Sequence, residues 1–401
     1  MGVPSCRASA VYQGCIQWLL ATLIIVGLVR ATPASQDSNR PSQVYQTTDQ
    51  FPLPNLGNVE AHDPNILLWE DHYYLFKGGV NIPIQKAANL SGPWEQVGTV
   101  LDGESVIHQG NRSHPWAPTA IERNGTLYCF YSLSSTGSRN SAIGVATTTS
   151  LDGHPWTDHG ALIRTGQGNG SHIWPFNITN AIDPSFITDQ STGKPYLVYG
   201  SFWDDVWQIP LADDLLSVED PEKPDAVQLT FLLGQQIRPE EGSWMSYHDG
   251  YYYTWFSHGK CCNFENGFPD RGDEYSIRVG RSKHVRGPFF DRNARSLLDG
   301  GGTVVYGSNH GLVYAPGGLG VLPGNNSVPD VLYYHYLNTS IGFAFEEAHL
   351  GWNYLQYDDG WPVVLEGTDH VNTTSAASIS ALPSGLSFTT LIVLWLYIWV
   401  S

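Results

Sequence analysis

Between about residues 51 and 367, apolar and polar positions return five times to the same order. Each copy begins with a short motif that contains Pro or Gly. An apolar stretch, a polar turn and an aromatic-rich run follow. The opening motifs are His62-Asp63-Pro64, Trp116-Ala117-Pro118, Ile182-Asp183-Pro184, Glu240-Glu241-Gly242 and Ala315-Pro316-Gly317. Runs rich in β-branched and aromatic residues, joined by turns such as Asn-Gly or His-Asp-Gly, predict one β-hairpin in each copy.

A second repeated element follows some of the hairpins and indicates further strands. It reads Ser91-Gly92-Pro93-Trp94, Asp152-Gly153-His154-Pro155-Trp156 and Arg286-Gly287-Pro288-Phe289, each time after another strand-like run. A copy of roughly 60 residues is long enough for a four-stranded blade with its loops. Because no segment has a long helical period, we predict an all-β fold, a five-bladed β-propeller in one domain over residues 51–368.

The N-terminal segment has the pattern of a targeting signal. Residues 1–31 predict a secretory signal peptide, with Arg7 before a mostly apolar core from Ile16 to Val29. Residues 32–50 are rich in Ser, Thr, Gln and Pro and predict a flexible leader.

The C-terminal segment predicts a glycosylphosphatidylinositol anchor. Residues 369–378 read as a Ser/Thr stalk that includes the small residues Ser375-Ala376-Ala377-Ser378, and an apolar terminus follows after a polar spacer. We expect attachment of the lipid at Ser375 and removal of residues 379–401. The alternative is a short transmembrane helix, but the apolar run falls short of the roughly 20 residues of a span and has no basic flank.

Asn-x-Ser/Thr sequons agree with passage through the secretory pathway. The eight sequons begin at Asn89, Asn111, Asn124, Asn169, Asn177, Asn325, Asn338 and Asn372. We therefore expect a glycoprotein at the cell surface, held to the plasma membrane or cell wall through the lipid anchor alone.

The net charge and the aromatic content of the chain indicate which classes of partner it binds. The net charge is −18 and becomes −20 when Arg7 and Arg30 leave with the signal peptide, so no basic surface is offered to nucleic acid. Aromatic residues make up 12% of the chain, which is typical both of polysaccharide-binding proteins and of all-β folds. We expect a monomer with a polysaccharide as its partner.

The cysteines predict neither a disulfide framework nor a zinc site. Without the signal peptide the chain keeps Cys129, Cys261 and Cys262, so at most one bridge forms. No further Cys or His stands at ligand spacing. We expect that one of Cys261 and Cys262 is either free or joined to its neighbour.

Three of the five opening motifs carry an acid: Asp63, Asp183 and Glu241. The first strand of each propeller blade lines the central axis, so these acids should meet around one pocket. Hydrolysis of a glycosidic bond needs one carboxylate that activates water or attacks, and one carboxylic acid that protonates the leaving oxygen. A third acid beside the donor would favour its protonated form. The simpler interpretation is that Asp-Pro initiates turns.

The motifs also resemble those of a known family. His-Asp-Pro, Trp-Ala-Pro, Ala-Ile-Asp-Pro-Ser-Phe, Tyr-Gly-Ser-Phe-Trp, Cys-Cys, Val-Gly-Arg-Ser and a closing Gly-Trp-Pro-Val-Val occur in the order seen in the arabinanases of glycoside hydrolase family 43, and in its fungal endo-acting members above all. The match extends from His62 to Val364.

The resemblance implies an inverting hydrolase that cuts internal 1,5-α-L-arabinofuranosidic linkages in arabinan, a pectin side chain. By position, Asp63 matches the general base, Glu241 the general acid, and Asp183 the residue that orients the acid and raises its pKa. Glu240 is the competing choice for the acid, but the family has Glu directly before Gly. The implied substrate contacts are Trp116, Asn180, Ala181, Ile182, Ser201, Phe202 and Trp203.

Two departures from the family pattern concern the pocket. Thr119 stands where many members have Asp after Trp-Ala-Pro. Bacterial relatives have a His in a Gly-Pro-Gly-His segment that helps to hold a metal in the channel, whereas this chain has Ala315-Pro316-Gly317-Gly318. His310 is the nearby candidate for that role, but a lone His is more often structural. We therefore predict no metal or other cofactor, with a channel calcium ion as the alternative.

Two other functions fit the same sequence. One is an exo-acting arabinofuranosidase or β-xylosidase on the same scaffold, because the sequence does not show whether the cleft is open at both ends. The other is a non-catalytic cell-surface propeller that binds carbohydrate. Acids in three openings favour catalysis, since a binding module needs no proton donor.

Overall fold

The computed structural model describes residues 51–325 and 327–368, which form five antiparallel β-sheets arranged as the blades of a propeller. The predicted all-β, five-bladed fold is therefore confirmed. The predicted signal peptide, leader, stalk and anchor, with Ser375 and the sequon at Asn372, lie outside the described residues.

Four blades are built from consecutive strands. The first blade comprises β2 (Asn65–Trp69), β3 (His72–Phe76), β4 (Pro83–Ala87) and β5 (Glu95–Thr99). The second comprises β6 (Trp116–Arg123), β7 (Thr126–Leu133), β8 (Ala142–Thr148) and β9 (Thr157–Arg164). The third comprises β10 (Ser185–Thr188), β11 (Pro195–Tyr199), β12 (Trp207–Pro210) and β13 (Val227–Gln228). The fourth comprises β14 (Glu240–His248), β15 (Tyr251–His258), β16 (Ser276–Ser282) and β17 (Thr303–Tyr306).

The fifth blade joins both ends of the described chain. Its strands are β18 (Val313–Leu322), β19 (Val331–Asn338), β20 (Ala348–Asp358), the N-terminal β1 (Asn55–Glu60) and β21 (Trp361–Val364). Both β1 and β21 pair with β20. Because the outer strand comes from the other end of the chain, the ring of blades is closed by β-sheet hydrogen bonds. The loops of residues 51–368, as far as the structure describes them, contain three 3₁₀ helices, at Phe264–Asn266, Leu297–Asp299 and Phe345–Glu347.

The main chain turns in the hairpins as the sequence predicts. Residue pairs with positive φ connect the strands at Glu70-Asp71, Asn124-Gly125, Asp249-Gly250 and Asp359-Gly360. Two consecutive left-handed residues give the type I′ turn, whose twist matches that of the strands.

Apolar side chains fill the spaces between neighbouring blades. Along β15, Tyr252 and Phe256 pack towards the third blade, whereas Tyr253 and Trp255 pack towards the fifth. This alternation follows from the two-residue period of a strand, which here buries both faces. Corresponding clusters lie between each of the other neighbouring pairs of blades.

The remaining sequence predictions concern cysteines and surface sites. The structure joins Cys261 to Cys262 and leaves Cys129 free in the core, which agrees with the vicinal alternative. Of the seven described sequon asparagines, six are exposed and Asn338 is half-buried. Within the described ranges no helix is long and apolar enough to cross a membrane.

Candidate active site

The segments that open the five blades share one backbone feature, a residue with positive φ two positions before a residue of the first strand that pairs with the second. These residues are Asp63 (46°), Ala117 (39°), Asp183 (57°), Gly242 (56°) and Gly318 (54°). In each case the residue two positions further on pairs with the second strand of the blade. The five segments line one cavity of about 30 Å³, which has room for about one water molecule.

The alignment of two repeats differs from the prediction. Glu241 lies one residue before the left-handed position, so it corresponds to His62 and not to Asp63. In the last repeat the left-handed residue is Gly318, two residues after the middle of the predicted motif Ala315-Pro316-Gly317. The reason is a double irregularity in the pairing of β18, before and after Gly317, which adds residues that the repeat pattern does not reveal.

Asp63 lies beside two histidines. Its Oδ2 is 3.2 Å from His62 Nδ1, its Oδ1 is 3.4 Å from His335 Nδ1, and its main-chain N–H donates to the same His335 nitrogen over 3.1 Å. Burial opposes ionisation of Asp63, but attraction to His62, followed by attraction to His335, outweighs the effect of burial and lowers the pKa of Asp63. Asp63 is thus an ionised carboxylate, as a general base requires.

Gly318 leaves the room that Asp63 and His335 occupy. A Cβ atom at this position would clash with the Asp63 carboxylate and would lie 2.6 Å from His335 Nδ1. Gly318 also has a φ of 54°, which side-chain-bearing residues rarely adopt. The absence of a side chain here therefore positions the base.

Glu241 is held by two hydroxyl groups. Ser201 Oγ donates to Glu241 Oε2 over 2.6 Å, and the Tyr275 hydroxyl donates to Oε1 over 3.1 Å. Burial raises the pKa of Glu241 and the Asp63 carboxylate raises it further, while the two hydrogen bonds oppose the change. Glu241 therefore keeps its proton to higher pH than an ordinary glutamate, as a general acid requires.

Asp183 interacts through its charge with both Glu241 and Asp63. It accepts a hydrogen bond from the Gly242 N–H over 3.0 Å at Oδ2, and its own N–H donates to Ser132 Oγ over 2.9 Å. Burial, followed by the charges of Glu241 and Asp63, raises the pKa of Asp183 well above its usual value. Two neighbouring acids that both resist ionisation titrate as a pair, so Asp183 and Glu241 share the task of retaining a proton.

Glu240 belongs to a different environment. It is fully buried, its Oε1 lies 3.3 Å from His258 Nδ1, and its carbonyl oxygen accepts the Phe202 N–H over 3.0 Å. Burial lowers the pKa of His258. Successive residues of a strand point to opposite faces, so Glu240 faces His258 while Glu241 points to Ser201 and Tyr275.

The residues predicted to contact substrate differ in their burial and in their hydrogen-bond partners. Ser201 binds Glu241, Trp116 begins β6 and is half-buried, and Trp203 has 37% of its surface exposed. The side chains of Asn180, Ala181 and Ile182 are buried, and Asn180 Oδ1 accepts a hydrogen bond from Ser141 over 2.7 Å. This loop positions Asp183, and its predicted contact with substrate stays a prediction, as do those of Trp116, Phe202 and Trp203. Thr119 is buried and donates to the Pro184 carbonyl oxygen over 2.6 Å.

Four site residues did not emerge from the repeats: His62, Tyr275, His335 and Phe345. The Phe345 ring is exposed and stacks on His62 at a centroid distance of 3.8 Å, and His62 stacks on His335 at 4.0 Å. His62 stands in the first opening motif and could have been noticed there. The others reach the site from outside the opening motifs and have no local sequence signal.

His62, Asp63 and His335 are the described residues whose potential metal ligands lie close together, within 4.8 Å of one another. Calcium prefers six to eight oxygen ligands, whereas this set offers two imidazole nitrogens and a carboxylate. His335 Nδ1 is moreover engaged with the Asp63 N–H. These residues do not fit calcium, and no catalytic step is assigned to a metal. His310 lies outside this group, with its Nε2 3.2 Å from Glu274 Oε1.

Comparison with known proteins finds a matching family and similar sequences. The family described as glycosyl hydrolases family 43 matches residues 56–362. The chain is 57% identical over 346 residues to the probable arabinan endo-1,5-alpha-L-arabinosidase D of Emericella nidulans, a match that covers 86% of this chain and 89% of that protein. It is 43% identical to the probable arabinan endo-1,5-alpha-L-arabinosidase B of Aspergillus flavus, with 86% and 98% covered.

Solved structures are similar as well. The α-L-arabinanase of Cellvibrio cellulosa in complex with arabinohexaose matches with a TM-score of 0.67 at 25% identity, covering 77% of this chain and 96% of that one. An exo-1,5-α-L-arabinanase from a bovine ruminal metagenomic library matches with a TM-score of 0.66 at 27% identity, covering 78% and 99%.

Proposed function

Because the chain belongs to glycosyl hydrolase family 43, we propose that it cuts internal 1,5-α-L-arabinofuranosidic linkages of arabinan with inversion of the anomeric centre. The observation that carries this proposal is that three interacting acids differ in how readily they ionise. Asp63 has a lowered pKa, and Asp183 and Glu241 both have raised pKa values. A base and an acid are thereby available at the same pH.

The reaction follows from these protonation states. The Asp63 carboxylate accepts a proton from water as the water oxygen forms a bond to the anomeric carbon. Glu241 gives its proton to the glycosidic oxygen as the bond between that oxygen and the anomeric carbon breaks. One water is consumed, and the two carboxyl groups exchange protonation states before solvent restores them.

Ser201, Tyr275 and Asp183 assist without exchanging atoms with the substrate. Hydroxyl groups can donate or accept, so Ser201 and Tyr275 hold the Glu241 carboxyl group in both of its protonation states. Asp183 and Glu241 interact through their charges, so loss of a proton from one disfavours its loss from the other and the pair retains a proton.

Product analysis on linear arabinan separates endo action from the exo alternative. One of the similar structures is named as an exo-acting arabinanase. We expect a ladder of oligosaccharides early in the reaction. Arabinose as the sole early product would favour an exo-acting enzyme. Binding of arabinan without any hydrolysis would favour the non-catalytic alternative.

We further propose that the enzyme is secreted as a monomeric glycoprotein and anchored at the cell surface through glycosylphosphatidylinositol. The support is the order of the terminal sequence signals and the exposure of six sequon asparagines in the described part of the chain.

A further inference from the structure

A second cavity lies at the other end of the third and fourth blades. Its residues come from the turn between β10 and β11, from the turn between β14 and β15, and from the segment after β16. Tyr247 lines it and lies on β14, the strand that carries Glu241. Six strand residues span about 20 Å, so this cavity is remote from the catalytic acids.

Two tyrosines form the aromatic wall of the cavity. Tyr247 and Tyr252 are directly paired across β14 and β15, with ring centroids 4.9 Å apart and planes tilted by 59°. Tyr252 is buried and its hydroxyl is fixed, since it accepts the Gln190 N–H over 2.8 Å and donates to Asp189 over 3.1 Å. Tyr247 is 40% exposed. The fixed ring of Tyr252 thus supports the exposed ring of Tyr247, whose apolar face can stack on a sugar ring.

The cavity has the size and polarity of a site for a small neutral ligand. Its volume is about 520 Å³, within the range of about 300–1,000 Å³ typical of ligand pockets. Gln190 and Ser191 line it with exposed polar side chains.

Three charged side chains at the cavity, Asp189, Lys283 and Arg286, already have partners. Arg286 donates to the carboxylate of Asp225, Asp189 accepts from Ser191 over 2.8 Å, and Lys283 Nζ lies 3.3 Å from the Tyr251 ring centroid. A neutral sugar would disturb none of these contacts, whereas an acidic one would compete with Asp225 and Asp189.

We propose that this cavity is a second, non-catalytic binding site for neutral arabinofuranosyl residues. The choice of sugar rests on the proposed function. A polymer held at both sites is presented to the catalytic cleft at a high effective concentration, while a short oligosaccharide occupies one site at a time. The site should therefore matter for long arabinan and not for short fragments.

The test is Tyr247→Ala, measured on linear arabinan and on arabinotetraose. We expect KM for the polymer to rise about two- to tenfold, as the loss of one aromatic contact implies, with kcat and all constants for arabinotetraose unchanged. Tyr247→Phe keeps the ring and should behave as the wild type. Phe290→Ala is the matched control, because Phe290 is 41% exposed in the same blade and does not line the cavity.

Direct binding is measured by electrophoresis in gels that contain linear arabinan, with hydrolysis blocked by Glu241→Gln. Retardation that weakens with Tyr247→Ala and persists with Phe290→Ala would support the second site. Equal retardation of the two variants, or retardation that Tyr247→Ala weakens only in polygalacturonate gels, would overturn it. Failure of the unmodified protein to hydrolyse arabinan would count against the proposed function alone, because the gels report binding independently.

Discussion

Gly242 donates its main-chain N–H to Asp183 Oδ2 over 3.0 Å, which joins Asp183 to the peptide unit that follows Glu241. Gly242 is also the left-handed residue of the segment that opens its blade, with a φ of 56°. Burial and the charge of Glu241 raise the pKa of Asp183, so the two acids compete for one proton within a single hydrogen-bonded unit. Several consequences of this coupling can be measured.

Asp183→Asn should shift the basic limb of the pH profile of kcat/KM to lower pH. The Asn side-chain oxygen can still accept the Gly242 N–H, so the substitution removes the charge and keeps the hydrogen bond. Glu241 then titrates alone and loses its proton at lower pH. Asp152→Asn, at a carboxylate with 65% side-chain exposure, is the control. A basic limb in the same place for Asp183→Asn and the wild type would contradict the proposed coupling.

Glu241→Gln should stabilise the fold at neutral and alkaline pH. The folded-state pKa of Glu241 is raised, so its contribution to stability is present below the unfolded-state pKa and is lost as pH rises through the folded-state value. Gln removes that loss. We expect a higher melting temperature than the wild type at pH 8, by about 2–4 °C for each kcal/mol recovered, and a small difference at pH 4. A variant that melts lower than the wild type at both pH values would refute this.

Gly318→Ala should inactivate the enzyme by displacing Asp63. The added Cβ would meet the Asp63 carboxylate and His335, and a displacement of about 1 Å at a catalytic group can cost 10²-fold in rate. Gly153→Ala is the matched control, because Gly153 has a φ of 75° and no atom within 4 Å of an added Cβ. Both substitutions place a side chain at a positive φ, 54° at Gly318 and 75° at Gly153. Equal activities in the two would show that the space beside Asp63 is unimportant.

The structure also shows which features a single sequence can predict. The hairpins were predictable because turns such as Asn124-Gly125 have a characteristic composition, and Asp63 and Asp183 because each stands before Pro in a repeated motif. The position of Gly318 could not be predicted, because irregular pairing in β18 adds residues without changing the composition of the segment.

Contacts between distant segments were beyond the sequence as well. Tyr275 and His335 reach Glu241 and Asp63 from strands or loops that carry no acid motif, and their roles depend on how blades pack. The pairing of β1 with β20, which closes the ring, likewise joins residues about 300 positions apart.

The anchor remains a prediction from the terminal sequence. A phospholipase specific for phosphatidylinositol should release the protein from cells, because a diacyl lipid would be its attachment. Truncation before Ser375 should give a soluble and active enzyme, since the last described strand, β21, ends at Val364. Release by detergent alone would instead indicate a retained transmembrane helix.

The assignment of base and acid is tested most directly by the leaving group. Asp63→Ala and Glu241→Ala should each lose on the order of 10²-fold or more on arabinan. An aryl arabinoside with an activated phenolic leaving group needs little protonation, so it should restore much of the activity of Glu241→Ala and none of that of Asp63→Ala. Glu240→Ala should show no such selective rescue, because Glu240 faces His258. Rescue of Glu240→Ala in place of Glu241→Ala would contradict the assignment of Glu241 as the acid.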